Sequence, residues 1–263
     1  MNTVAQPLPT ARSAADPDWV SDEGWYAPHD YWLSLCGLYE HYRFGLQRLG
    51  ALQGRQLLDC GCGQGHTSVM LAKRGAQVSA FDIAQDDLAT AAVLAQANGV
   101  PLNLHTLVFE DLAFADASFD LAFGACVLHH VQIPQAMAEL QRVLKPGGRA
   151  VFIENSARNP LLMWARKRLV GRLGIPRYGD DLEHPLRASD FQAMRENFKG
   201  TVQVHYPSFV LFRLIDFYIL RKRLPAATWL LRAADALCQR IPLVREYGYF
   251  LVVQLDRHPE NAA

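Results

Sequence analysis

No run in this chain reaches the roughly 18 uninterrupted apolar residues of a membrane-crossing helix, so no spanning segment is expected. Net charge is lacking too. The 26 Lys and Arg balance the 26 Asp and Glu, which speaks against a nucleic-acid partner. Cysteine is scarce and unpatterned: Cys36, Cys60, Cys62, Cys126 and Cys238 are odd in number, and no two have the spacing of a zinc knuckle. They read as reduced thiols in a cytoplasmic protein. The opening residues MNTVAQPLPTARSAADPDW lack the apolar core of a secretory signal. Residues 1–20, rich in Pro, Ala, Ser and Asp, read as a disordered leader.

What is present is a chain of 263 residues, half of them apolar, which suits one α/β domain with insertions. Its organising stretch is Leu57–Ser68, LLDCGCGQGHTS. A short apolar run ends in Asp59, and glycines follow on alternate positions at Gly61, Gly63 and Gly65. Thr67 and Ser68 then stand where a helix cap belongs. The reading is a strand, a tight glycine turn and a helix start whose N–H groups are unpaired. A dinucleotide site would need G-x-G-x-x-G and would set its pyrophosphate on the helix start. Here an acid precedes the first glycine. It would repel a pyrophosphate and suit a cationic ligand, which disfavours an NAD(P)-dependent oxidoreductase.

Strand and helix patterns alternate from Gln56 onward. Strands are expected at Gln56–Cys60, Gln77–Phe81, Leu102–Val108, Phe119–Ala125 and Arg149–Glu154, and then at Thr201–Tyr206 and Tyr249–Asp256. Helices are expected at Thr67–Lys73, Gln85–Gln96, Pro134–Leu144 and near Ala188–Asn197. Such alternation implies a doubly wound, mostly parallel seven-stranded α/β sheet with its ligand beyond the carboxyl ends of the strands. The last two strands should pair antiparallel, yet mostly helical sequence separates them.

The pattern D-x-G-x-G-x-G resembles the first motif of the class I S-adenosylmethionine-dependent methyltransferases, (D/E)-x-G-x-G-x-G. The resemblance covers Leu57–Glu154 well, including the turn Leu144–Gly148, which is similar to the family's L-x-P-G-G. It implies a Rossmann-like methyltransferase fold with S-adenosylmethionine as cofactor. The implied domain plan has an N-terminal helical lid at 21–50 and the cofactor domain at 51–263. Basic, apolar helical insertions fall at about 156–185 and 207–247 within it. Asp59 would orient the methionine end, and Gly61, Gly63 and Gly65 would allow close approach. Asp82, with Ile83 beside it, ends the second strand where an acid accepts ribose hydroxyls. The family's adenine-binding Asp falls on Val108. Adenine then falls to the backbone of Phe109 and Glu110, to the Glu110 side chain, to an apolar wall, or to Asp111. The backbone of Cys126, just past the fourth strand, is a further expected cofactor contact.

Two neighbouring histidines, His129 and His130, stand at the mouth of the fourth strand and are equal candidates for a general base. Glu154 and Asn155 end the fifth strand within reach of substrate. The aromatic N-terminal segment, with Tyr26 and Tyr31, is expected to help form the substrate pocket. Asp180, Asp181, Glu183 and His184 form an acidic loop that reads as solvated, so no metal is expected.

Residues 155–250 hold 16 Lys and Arg against 8 Asp and Glu. Their basic, apolar helices fit a pocket roof, a dimer contact or a peripheral membrane contact. No motif specifies an oligomeric state. Within the class the chain looks most like the branch of ubiquinone and menaquinone methyltransferases. The function expected is methyl transfer to a small, hydrophobic or lipid-like acceptor, with oxygen preferred. A non-catalytic S-adenosylmethionine-binding scaffold is the alternative.

Overall fold

The computed structural model describes residues 38–172, 184–220 and 223–259. The leader, Tyr26, Tyr31, Asp180, Asp181 and Glu183 lie outside them. The seven strands are β1 (Gln56–Cys60), β2 (Gln77–Asp82), β3 (Asn103–Thr106), β4 (Phe119–Ala125), β5 (Leu144–Asn155), β6 (Gly200–His205) and β7 (Phe250–Arg257). They form one sheet in the order β3-β2-β1-β4-β5-β7-β6. Every pairing is parallel except those of β7, which runs antiparallel to both β5 and β6. The sheet is therefore the doubly wound one expected from the alternation. Its switch point lies between β1 and β4, and both strands end at the glycine turn.

The central strands are buried on both faces, which is why Leu57 and Leu58 read as a continuous apolar run. Leu57 packs into one core with Val69, Met70, Phe123 and Val151. Leu58 points to the other face, with Ala122, Met137 and Phe152. Three helices close the first face: α1 (Leu38–Leu49), α2 (His66–Lys73) and α3 (Gln85–Asn98). On the second face α4 (Ile133–Val143) buries Ile133, Ala136, Met137, Leu140 and Val143, the spacing of one helical stripe. Each large side chain so buried contributes about 1.5–3 kcal/mol. Two further helices follow β5, α5 (Pro160–Leu169) and α6 (Ala188–Asn197).

Two boundaries differ from expectation for visible reasons. β3 stops at Thr106, because Leu107 N turns to donate to Asp82 O and the chain folds back through a Val108–Asp111 bridge. β5 begins early, at Leu144, because the Lys145–Gly148 turn is absorbed as an irregularity in its pairing with β4.

Between β6 and β7 stand α7 (Phe212–Ile215), a π-helical turn (Asp216–Leu220), α8 (Pro225–Gln239) and α9 (Pro242–Arg245). The buried carboxylate of Asp235 on α8 ties them together. It accepts from the backbone N–H groups of Leu211, Phe212 and Arg213 and from Arg213 Nε. The same guanidinium reaches Glu40 on α1 through Nη1. Asp235→Ala strands these donors and is expected to cost about 3 kcal/mol. Thermal melting would show it as a lowered or split transition.

Candidate active site

The carboxyl ends of β1, β2 and β4 meet at the glycine turn. Asp59, the penultimate residue of β1, is only 2% exposed. Its Oδ2 accepts from Ser68 Oγ at 2.5 Å. Ser68 was expected as a helix cap. Instead the N-cap is Gly65, with no side-chain cap, and Ser68 turns inward to the acid. Burial pushes the Asp59 carboxyl up to about 7; the Ser68 bond opposes the rise and the charge of Asp82 adds to it. A buried carboxyl held at this balance is a ready counter-charge for an ammonium group.

The three glycines do different work. A Cβ on Gly61 (φ +65°) would lie 2.6 Å from Val127 Cγ2, and one on Gly65 (φ +81°) would lie 2.6 Å from Ala91 Cβ. Gly65 is thus a packing glycine. A Cβ on Gly63 would meet nothing within 4 Å, because this residue faces a cleft. That cleft, of about 180 Å³, is lined by Tyr42, Asp59, Gly61, Cys62, Gly63 and His66, with Thr67 and Ala125 completing it. The ring of Tyr42 packs 5.7 Å from that of Phe123 and brings α1 over the turn.

Asp82 ends β2 with both oxygens oriented. Oδ2 accepts from Gly63 N at 2.8 Å and Oδ1 from Ala84 N at 2.9 Å. Each oxygen retains a second lone pair for a hydroxyl donor. A buried acid for an ammonium group, an open glycine face and an oriented carboxylate fit the two ends of S-adenosylmethionine. Between the ends, Ile83 is 71% exposed. Val108 is exposed too, and the Leu107–Asp82 bond brings it alongside. The side chains of Phe109 and Glu110 are placed elsewhere. Phe109 is in the core, edge-on to Phe81 at 5.4 Å. Glu110 Oε1 accepts from Gln132 N, the N-cap of α4. Asp111 is exposed and turns back on Val108.

At the end of β4, Cys126 takes φ +57° and donates its N–H to Ile153 O. The kink aims the next N–H groups at Glu154. Glu154 Oε1 accepts from Val127 N at 2.8 Å and from Leu128 N at 2.7 Å. Its Oε2 accepts from His129 Nδ1 at 2.7 Å. The expectation that Glu154 reaches substrate is therefore corrected: it is fully buried, and both oxygens are taken up inside the protein. Holding the Nδ1 proton leaves His129 Nε2 as a proton acceptor, on a side chain only 5% exposed. The exposed His130 ring lies 4.2 Å away, and the carboxylate contact falls on His129. Asn155, the last residue of β5, is buried, and its Oδ1 has no partner among the described residues.

The glycine turn, Asp82 and the histidines thus converge at one end of the sheet. Sequence reasoning missed Ser68 as the partner of Asp59, His66 in the cleft wall, and Glu154 as the residue that separates the two histidines. Among the described residues no cluster of three or more His, Cys, Asp or Glu could hold a metal.

Residues 58–152 match the family model described as a methyltransferase domain. A Bordetella avium protein named ubiquinone biosynthesis O-methyltransferase is 30% identical over 203 residues, which cover 71% of this chain and 83% of that one. An S-adenosylmethionine-dependent methyltransferase from Mesorhizobium loti superposes with a TM-score of 0.56 at 21% identity, covering 83% of this chain and 98% of its own. The geranyl diphosphate C-methyltransferase of Streptomyces coelicolor, solved with Mg2+, geranyl diphosphate and S-adenosyl-L-homocysteine, superposes with a TM-score of 0.55 at 17% identity. That match covers 83% of this chain and 77% of its own. The two structural likenesses concern the fold.

Proposed function

Because the chain belongs to the S-adenosylmethionine-dependent methyltransferases, we propose that it methylates an oxygen of a small, hydrophobic, lipid-like acceptor, with His129 taking the acceptor's proton. The name of the Bordetella avium relative supports the oxygen and the acceptor class. The observation that carries the base assignment is the 2.7 Å contact between Glu154 and His129 Nδ1. It holds the proton on one ring nitrogen and leaves the other to accept.

The bound cofactor supplies an electrophilic methyl on a sulfonium, so the protein has mainly to align a nucleophile and exclude water. Asp59 balances the ammonium of the methionine end. Asp82 accepts the ribose hydroxyls. Ile83 and Val108 provide the apolar wall for adenine that replaces the family's acid, and the Cys126 backbone borders the sulfur end. Helix α1 is the described part of the lid, and we assign acceptor contacts to Tyr26 and Tyr31 of the segment before it and to Asn155 at the end of β5. Among the described residues no helix is long and apolar enough to cross a membrane. We place the protein in the cytoplasm, in peripheral contact with a membrane.

The test is turnover on a panel of hydrophobic phenols and hydroxy-lipids, read as S-adenosylhomocysteine release and a product heavier by one CH2. Methyl ethers are expected. Products methylated only at carbon or nitrogen would refute the oxygen assignment.

Asp59 gives the binding step a pH signature. In the free protein its carboxyl titrates near about 7; the cofactor's ammonium favours the ionised form and lowers that pKa. Binding therefore expels a proton below neutrality, and affinity rises with pH by up to about tenfold per unit before levelling off. Calorimetry in buffers of differing ionisation heat reads that proton, and Asp59→Asn is expected to abolish the slope. The free protein behaves oppositely. Its Asp59 pKa is raised from the ordinary 3.8, so stability falls as pH climbs through that window, by about 4 kcal/mol in total. Asp59→Asn should accordingly raise the melting temperature above neutral pH while weakening cofactor binding.

A further inference from the structure

The insertion between β6 and β7 carries a surface that the methyl-transfer site does not use. Eleven of the fifteen large apolar side chains exposed among the described residues lie between Leu161 and Tyr247. On α8 they follow helical spacing on the side away from the core. Trp229 is 68% exposed and Leu237 follows two turns later, whereas Asp235 faces inward. Leu243 on α9 is 78% exposed. Helix α5, which carries Trp164 at 57% exposed, starts next to the end of α9. Its N-cap Asn159 donates to Tyr247 O, and Arg158 pairs with Glu246. Scattered exposed apolar residues are ordinary in proteins; a cluster built on adjoining helices marks an interaction surface.

Charge on the same elements is one-sided. Asp216 and Asp235 are buried, the first accepting from Thr228 Oγ1 and the second capping α7, while Glu246 is held by Arg158. No other acid lies between residues 206 and 247. Arg232, Arg240 and Arg245 are exposed in that span. Indole and leucine side chains surrounded by arginine, with the acids withdrawn, are the chemistry of an interfacial helix on an anionic bilayer. A second copy of the chain fits poorly, because a two-fold contact would bring this cationic rim against itself.

We propose that α8, α9 and the exposed edge of α5 dock this protein onto the headgroup region of an anionic lipid bilayer. The inference rests on the lipid-like acceptor proposed above and gives that acceptor a route. Arg213 of the insertion grips Glu40 on α1, and Tyr42 of the same helix lines the cofactor cleft. The docking surface is thus braced against the helix that borders the cleft, which keeps an acceptor dissolved in the bilayer close to the reacting centre.

The test is flotation of the full chain with vesicles of phosphatidylcholine alone or mixed with phosphatidylglycerol, with tryptophan emission as a second readout. Binding is expected to the mixed vesicles, with a blue shift, and to weaken with added salt. Arg232→Glu with Arg240→Glu should lower it by at least about tenfold. Trp229→Glu with Leu237→Glu should do the same and remove most of the blue shift. Equal binding to neutral and anionic vesicles, or none to either, overturns the proposal. So does a concentration-dependent dimer that the Trp229→Glu, Leu237→Glu variant dissolves. Calorimetric cofactor binding and turnover of a short-chain phenol run alongside. If they persist while flotation fails, only the docking falls; if they fail as well, the reading of the site falls with it.

Discussion

Glu154→Gln is expected to lower turnover by about 10²–10⁴-fold while leaving cofactor affinity within about twofold. The substitution is nearly isosteric and keeps an oxygen for Val127 N and Leu128 N, so the turn after β4 stays in place. What changes is the group facing His129 Nδ1. An amide N–H₂ there donates, Nδ1 must accept, and the ring proton moves to Nε2. The base proposed above is then blocked by its own proton without having moved. His129→Ala should show a loss of the same size, and His130→Ala a smaller one, since the carboxylate contact falls on His129. The readout is kcat with S-adenosylmethionine saturating, alongside calorimetric affinity for S-adenosylhomocysteine. Unchanged turnover in both Glu154→Gln and His129→Ala would mean that alignment alone suffices and that no side chain takes the proton.

Asp82→Ala acts on the other limb of the site. On the assignment proposed above it removes a charged acceptor for two ribose hydroxyls, each such bond worth about 1.5–3 kcal/mol. It also strands Gly63 N and Ala84 N, which the carboxylate orders at 2.8 and 2.9 Å. The dissociation constant for S-adenosylmethionine should rise at least about a hundredfold. Asp82→Asn, which keeps one acceptor oxygen, should recover part of the loss. Thermal melting separates disorder of the turn from lost hydroxyl contacts, because only the first lowers the midpoint of the cofactor-free protein. An unaltered dissociation constant in Asp82→Ala would remove this residue from the ribose.

The residues most legible in the chain were those whose type is dictated by backbone geometry or by charge. β1, β2 and β4 appear where their apolar runs placed them, because buried parallel strands tolerate few other residues. Asp59 and Asp82 stand at strand ends, as the motif required. Contacts made across long stretches of sequence were not legible. Nothing local to Glu154 says that it will cap a turn more than twenty residues earlier and hold His129; the carboxylate looked available because it ends a strand beside the site. Ser68 was misassigned for a related reason. Its place favours a helix cap, but packing against β1 turned it to a buried acid. Val108 is the reverse case. Its departure from the family's acid was visible, and the structure leaves it exposed, one residue past the Leu107–Asp82 bond.

One arrangement in the sheet bears on how the chain is made. β7 lies between β5 and β6, although residues 206–249 separate it from β6 in sequence. A ribosome adding about 5–20 residues per second therefore finishes β6 seconds before its sheet neighbour β7 emerges. During that interval β5 has an open edge and β6 is unpaired, both of them templates for mispairing with other nascent chains. The half-exposed, polar-dotted character of β6 (Thr201, Gln203, His205) makes that wait less hazardous than an all-aliphatic strand would.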